Sequence, residues 1–523
     1  MRQVKSLVQL SLLGVVAISS VSMSGCSNSL KGAVWAGLPA YLVPCLPCDP
    51  SRATVGGGSG TSDNPYLICT QAQLKNIDTQ CSSNSGWSGV NFVQCGSIDL
   101  QGSAGNPSSP ICSTTGFKGS YEGAGFSIKN FYYNNSSTDN VGVFSSLSGG
   151  KISDLTVDSP TIHAHNQVGG LVGFIEQGST ITSANAVNAD IHGAGDNIGG
   201  LVGLIDSRPS GDSNTVTLSS SSGTVTCTSG TIDGYPAGTG GLVGTVIANG
   251  TVSSYITYSH SSATVTGNST KIGGLLGATD TDAFVQHSYA TGAVSGNVIR
   301  MGGLIGFLDG GPNKSGVSDS YATGSVTSTT DYAGGLIGAA DYGDIANTYA
   351  TGTVSGVDAV GGLVGVHAYC PGCSVTASYA TGSVSGTSRV GGLIGALDSS
   401  FGAPISNTYA SGAVSGSSSI GGLIGEVTSV IPAATLSDSY SVGKVTGTGG
   451  SPTHLGGLMG LNTANITVTS CFWDQTTSGQ STGVAGTGET TSAMKTVSTF
   501  SGWPTAGSSD WTIVSGQYPK LKF

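Results

Sequence analysis

Apolar and polar positions along this chain alternate in short bursts, and the bursts recur in register every 27 to 41 residues. Each unit opens on Gly-Gly-Leu-(Val/Leu/Ile/Met)-Gly, with copies beginning at Gly169, Gly199, Gly240, Gly273, Gly302, Gly334, Gly361, Gly391, Gly421 and Gly456. A degenerate copy, Val141-Gly142-Val143-Phe144-Ser145, precedes them. The second half of the unit is equally regular and centres on Tyr289, Tyr321, Tyr349, Tyr379, Tyr409 and Tyr440. Four residues before each Tyr stands an aliphatic, one before it a hydroxyl, three after it a Gly and five after it a Val, as in Val285, Ser288, Gly292 and Val294. Period-two alternation with β-branched residues and Gly/Asn/Asp/Ser punctuation describes short strands joined by turns. Helical spacing is absent, and Gly at this density would cost a helix ~1 kcal/mol per position.

Self-similarity at this period marks a solenoid, whose units bury their apolar faces against neighbours. The expectation is an all-β, right-handed parallel β-helix of about eleven coils with N- and C-terminal caps, each coil holding two or three strands. Coils would stack ~4.8 Å apart and turn each sequence column into a ladder. A β-propeller is the competing repeat, but its blades need ~40 residues and four strands, more than most units here supply.

The ends divide the chain further. Arg2 and Lys5 precede a mostly apolar run, Leu7–Ile18, that is too short to span a bilayer. The run ends in Met23-Ser24-Gly25-Cys26, which resembles the bacterial lipobox, with Met23 where Leu is usual. The resemblance implies that Cys26 becomes an acylated N-terminus, a lipid anchor that adds ~0.8 kcal/mol of membrane affinity per buried CH₂. An ordinary secretory signal cleaved nearby is the alternative. Ser27 rather than Asp follows, which by the same resemblance favours the outer membrane of a bacterial envelope. The expected division is a lipoprotein signal peptide (1–25), a tether (26–60), a Cys-rich N-terminal cap with first coils (61–140), the repeats (141–474) and a C-terminal cap (475–523).

The units closely resemble the GLUG repeat, for example Gly391-Gly392-Leu393-Ile394-Gly395 followed by Asn407-Thr408-Tyr409-Ala410-Ser411-Gly412. That repeat occurs in bacterial surface proteins such as filamentous-haemagglutinin-like adhesins and accompanies some IgA-cleaving metallopeptidases. Upstream, Asp63-Asn64-Pro65-Tyr66-Leu67-Ile68 is similar to the first coil of such proteins, and Phe472-Trp473-Asp474 with Trp511-Thr512-Ile513 is similar to their tail. The resemblance implies architecture and leaves activity open.

Composition narrows the chemistry. Net charge is −11, and Lys and Arg form no cluster, which argues against a nucleic-acid partner. The metallopeptidase His-Glu-x-x-His helix is absent, because no His is followed by Glu. Asp280 with Asp282, and Asp341 with Asp344, are the best carboxylate pairs for a β-helix polysaccharide lyase or hydrolase. They stand in variable turns without a basic cluster, so the chain reads as a non-enzyme.

Three residues after the core motif stand Asp206, Asp280, Asp309, Asp341 and Asp398, with Glu176 in the same column. Asp280, Asp309 and Asp341 fall on consecutive coils and are calcium candidates, although Asp also favours turns through its own side-chain bonds. No other cofactor is expected. His163 and His165 could face one side of a strand as metal ligands but lack a third. The Tyr column fits either sugar stacking or ladder packing inside the solenoid.

Cys45, Cys48, Cys69, Cys81, Cys95 and Cys112 crowd the N-terminal region as candidate disulfides, and Cys370 with Cys373 would pin a loop. Cys227 and Cys471 stand about eight coils apart, roughly 38 Å at ~4.8 Å per coil, too far to bond. The functional expectation is a surface-exposed adhesin-like lipoprotein that is held to the membrane by its lipid. Its irregular segments 204–239, 307–318, 366–374 and 428–435 would contact host or neighbouring-cell glycans or matrix proteins. An envelope structural protein without a specific ligand, and the lyase or hydrolase, are the alternatives.

Overall fold

Four or five short strands, rather than two or three, build each regular coil of the computed structural model. In one coil they are a glycine strand Lys271–Gly273, a leucine strand Leu276–Asp280, an aliphatic strand Ala283–Gln286, a tyrosine strand Tyr289–Ala290 and a valine strand Val294–Gly296. Each pairs in parallel with its counterpart one coil on: Ile272 with Met301, Leu276 with Ile305, Val285 with Val317, Tyr289 with Tyr321, Val294 with Val326. The glycine ladder runs through ten strands and the leucine ladder through eleven. Propeller blades would need antiparallel neighbours. Among the described residues, named strands pair antiparallel only at Trp511–Thr512 with Lys520–Leu521. The fold is a parallel β-solenoid.

The structure describes residues 48–209, 211–229, 237–248, 252–268, 271–310, 315–369, 372–398, 404–428, 434–464, 466–505, 507 and 511–523. Cys26, Cys45 and Cys370, with the signal-like segment and most of the expected tether, lie outside them. Residues 49–523 make up one compact unit. Within it, residues 49–60 are not free tether. The Gly56 N–H donates to Leu67 O at 2.7 Å and the Leu67 N–H to Gly57 O at 3.0 Å, which ties this segment to the first coil. The aliphatic ladder itself begins at Tyr66–Ile68 and passes through Asn91–Gln94 and Ser120–Glu122 before it reaches Lys151–Ser153. The Cys-rich region therefore supplies further coils of the same stack. Their core is aromatic, with Phe92, Phe117, Tyr121 and Phe144 all buried.

The three glycines of the motif are required by close approach. A Cβ on Gly302 would sit 1.9 Å from Ile305 O, one on Gly303 2.1 Å from Gly335 O, and one on Gly306 2.5 Å from the Ile272 N. Across the core, Gly303 faces the methyl of Ala322, the residue after Tyr321, at 3.0 Å from the same hypothetical Cβ. The coil is thus pinched where glycine meets alanine. That contact explains the buried column Ala290, Ala322, Ala350, Ala380 and Ala410. Away from the pinch, Leu304, Ile305, Leu308, Val317 and Val326 fill the interior, each aliphatic worth roughly 1.5–3 kcal/mol when buried.

A second corner explains the hydroxyl column. Two residues before each Tyr the chain turns through the left-handed region, at His287, Asp319, Asn347, Ala377, Asn407 and Asp438. Asn and Asp tolerate that conformation better than other non-glycine residues. The turn interrupts the backbone ladder, and the next residue's side chain repairs it. The Ser288 N–H donates to Ser320 Oγ at 3.1 Å, and Ser320 Oγ donates to Ser318 O at 2.7 Å. Thr348 with Ser378 and Thr408 with Ser439 repeat the first contact at 3.2 and 3.1 Å.

Cys81 and Cys112 form a disulfide with Cα atoms 5.4 Å apart. Cys48, Cys69 and Cys373 are also disulfide-bonded. Cys227 and Cys471 are buried free thiols, and burial pushes them up to about 11 and about 12. The C-terminal segment does more than close an end. Phe500, Trp503, Trp511 and Leu521 fold against Tyr440, and Tyr379 and Tyr409 pack beside them.

Two consequences are measurable. Gly303→Val must place a branched side chain against Gly335 O, so its urea midpoint should drop by the equivalent of about 3 kcal/mol; a loss under ~0.5 kcal/mol would contradict the pinch. His367 stands at a core position held by Ala340 and Leu397 in the adjoining coils, and burial lowers its pKa to about 4. The unfolded chain therefore takes up a proton first, and this residue's contribution to stability is lost as pH falls from about 6.5 to about 4. His367→Leu should gain stability over wild type in that window, by up to roughly 3 kcal/mol at its acid end. A variant-minus-wild-type difference that is flat with pH would refute it.

Candidate functional site

Insert length distinguishes the corners of the coil. Between glycine and leucine strands there are always two residues, as from Gly273 to Leu276 or Gly391 to Ile394. After the leucine strand the connection varies from one residue, Tyr342, to the eight residues 207–214. The expected contact segments 307–318, 366–374 and 428–435 all fall at this corner, and 204–239 runs from it through the coil to the connection 228–238 after the valine strand, where length also varies, from one residue to eleven. Parts of them (210, 230–236, 311–314, 370–371 and 429–433) lie outside the described residues.

The acid column lines the same corner. Glu176 is in register with Asp206, and Asp309 with Asp341. Ile247 and Ala368 break the column between Asp206 and Asp280 and between Asp341 and Asp398. Asp206 is held by Arg208, Nη2 to Oδ2 at 2.7 Å. Burial, then Asp309, raise the Asp280 pKa. Burial, then Asp309, push Asp341 up to about 7.

Cations answer the acids from the neighbouring glycine ladder. Lys271 and Arg300 are in register one coil apart and lie 5.5 and 4.6 Å from the centre of the Phe307 ring. Lys271 is attracted to Asp280 and Asp309, and Arg300 to Asp341. Beneath them Ala278, Phe307, Ala339, Val366 and Ala396 form a small apolar cluster outside the main core. The corner is therefore a mixed-charge surface rather than an all-carboxylate cage.

The Tyr column runs along the outer face, not inside the solenoid. Its alternate neighbours, such as Ala290 and Ala322, point inward, which leaves Tyr289 and Tyr321 half-buried on the outside. From His260 through Tyr440 successive rings stack at 4.7 to 5.1 Å with planes within 8°. Each ring face is thus covered by the next ring. Sugar stacking needs a free face, and this ladder presents edges and hydroxyls instead. Its last rungs are further covered by the C-terminal segment, where Trp511 Nε1 donates to Asn407 Oδ1 at 3.2 Å and Tyr440 Oη donates to Pro519 O at 2.5 Å.

Other expected pairs separate. Asp344 accepts from the N–H and Oγ of Ser374 at 2.7 and 3.0 Å, so it anchors the next coil rather than serving Asp341. His165 contacts Asp139, Nδ1 to Oδ1 at 2.8 Å, while His163 packs its ring against His192. Sequence reasoning missed Lys271 with Arg300 and His163 with His192, because both pairs arise from register between coils. The turn signal of Asn and Asp two residues before Tyr was available and overlooked.

The fold is a β-solenoid, and one stretch of it matches a known repeat. Residues 330–355 match the family model described as the GLUG motif. The chain is 31% identical over 169 residues to halomucin of Haloquadratum walsbyi; the match covers 30% of this chain and 2% of halomucin, a small part of that protein's length. A Bacteroides ovatus protein of solved structure, designated a candidate immunoglobulin A1 protease, is 20% identical with a TM-score of 0.40, over 57% of this chain and 78% of its own. A likeness of that size carries no functional weight.

Asp341 gives a direct check of the corner's electrostatics. Its raised pKa means the folded chain holds the proton more tightly, so stability is lost as pH rises from about 4 through about 7. Asp341→Asn should melt like wild type near pH 4 and be more stable at pH 8. The gain should be on the order of 1–2 kcal/mol, allowing for solvent screening. Because His367 acts in the opposite sense over an overlapping range, the difference between variant and parent melting curves is the readout. Equal melting at pH 8 would show that the carboxyl is not crowded.

Proposed function

We propose that the protein is a surface-exposed envelope lipoprotein whose solenoid holds variable inserts away from the membrane for adhesion. One observation carries the reading: connection length varies at two corners, after the leucine strand and after the valine strand, while the glycine-to-leucine corner never changes. A scaffold whose sole duty was to fill space would not need to keep two corners open to inserts. The corner after the leucine strand also brings charged groups of both signs and the Phe307 ring together, a surface suited to polar ligands such as glycans or matrix proteins. In this reading Cys26 bears the lipid and the turns make the contacts. No catalytic step is assigned to any residue.

The test is a glycan and matrix array probed with the purified chain and with a variant whose segment 207–214 is cut to a short turn. Wild type should bind a defined subset of ligands, and the variant should lose at least part of it while its melting temperature stays within a few degrees. Binding that is indifferent to shortening any insert would contradict the reading. Release of reducing or unsaturated sugar from the same glycans would move it to the enzymes. Metabolic labelling with a palmitate analogue should mark the full-length protein and not Cys26→Ser.

A further inference from the structure

We infer that His163, Asp190 and His192 form a divalent-metal site of the zinc class on the outer face of the valine ladder. The strand Thr161–Ala164 lies in parallel register with Asn185–Gly193, pairing Thr161 with Asp190 and His163 with His192. Ile162, Ala164 and Ile191 point into the core, so the alternate residues His163, Asp190 and His192 share the outer face. One ligand atom from each lies within 4.8 Å of the other two, and all three side chains are half-buried.

Ring orientation separates this cluster from the tyrosine ladder. Stacked rings from His260 through Tyr440 keep their planes within 8°, and Tyr258 with His287 within 15°. The His163 and His192 rings, with centres 4.4 Å apart, are tilted by 53°. Tilting gives up face-to-face stacking, and a nitrogen of each ring lies within 4.8 Å of the other and of an Asp190 oxygen. Asp190 completes the set: its Oδ1 lies 2.9 Å from His192 Nε2 and accepts from Thr224 Oγ1 at 3.0 Å. Thr224, in register with Asp190 one coil on, thus orients the carboxylate.

Two imidazoles and one carboxylate suit Zn²⁺ and its first-row neighbours, whereas Ca²⁺ and Mg²⁺ favour all-oxygen sets. Three protein ligands leave at least one position for water or for a donor from another molecule. Because the ligands come from two consecutive coils, an ion would clamp one coil to the next. Binding also requires a lone pair on His192 Nε2, so where that nitrogen carries a proton shared with Asp190 the proton is released.

The experiment is Zn²⁺ titration by calorimetry of the tag-free mature protein, its accessible thiols alkylated, with a chromophoric chelator as independent competitor. Expected is one ion per chain and a higher melting temperature with Zn²⁺ but not with Ca²⁺. His163→Ala and His192→Ala should each weaken binding by roughly tenfold to hundredfold or more, and His165→Ala should leave it unchanged. Circular dichroism checks that the variants fold, and Cu²⁺ substitution should give electron-resonance hyperfine coupling to two nitrogens. Should either alanine variant fail to fold, His163→Gln and the copper spectrum carry the test. No saturable binding, binding unaffected by loss of either His, or binding lost with His165→Ala would overturn the site.

Discussion

Everything in this solenoid depends on backbone meeting backbone at the glycine pinch. The carbonyl of Ile305 and the backbone of the neighbouring coils occupy the space where side chains of residues 302, 303 and 306 would be. Only hydrogen fits at those positions, so the motif repeats because the geometry repeats. Ala opposite Gly is the same constraint seen from the other wall. At Ser221 and Ser441, where Ser takes the place of Ala, the hydroxyl donates to Gly241 O at 2.6 Å and to Gly457 O at 2.7 Å, so these exceptions are satisfied locally.

From that constraint follows a division of labour around the coil. The pinch at one corner, and the left-handed turn with its hydroxyl ladder at a second, are fixed, because each couples a residue to its counterpart one coil away. An insertion there would shift register and turn core residues outward. After the leucine strand and after the valine strand the connections vary in length from coil to coil. Charge gathers at the first of these corners, where Asp280, Asp309 and Asp341 meet Lys271 and Arg300. Half-buried like charges are tolerable there because opposite charges from the next ladder offset them. The candidate interaction surface thus lies at one of the two corners where the fold accepts inserts.

Much of this was legible from the chain. Period, alternation and Gly content specify stacked parallel coils, and the columns of Leu, Tyr and Val reappear as ladders. The separation of Cys227 from Cys471 follows from counting coils. What sequence could not provide was direction: whether a column points in or out. Tyr289 and Ala290 are neighbours, and only packing of Ala against Gly decides that the ring goes outside. Cross-coil pairs were equally hidden. His163 and His192 stand in different units, both without the Tyr signature, and nothing local marks them as partners. The N-terminal coils escaped the repeat because their core is built from Phe92, Phe117 and Phe144 instead of Leu and Ala.

The most direct test of the central claim removes one whole coil. Residues 334–360 form a unit whose flanks are equivalent, since Ala333 and Val360 are register partners. Deleting them joins Ala333 to Gly361 with every ladder intact. The chain should fold, show the same β-sheet circular dichroism per residue and unfold cooperatively, because stability in such arrays is close to a sum over units and their interfaces. Removing 334–347 alone should destroy the fold, because it misaligns every ladder downstream. A whole-coil deletion that fails to fold, or a half-coil deletion that folds as well, would contradict the account.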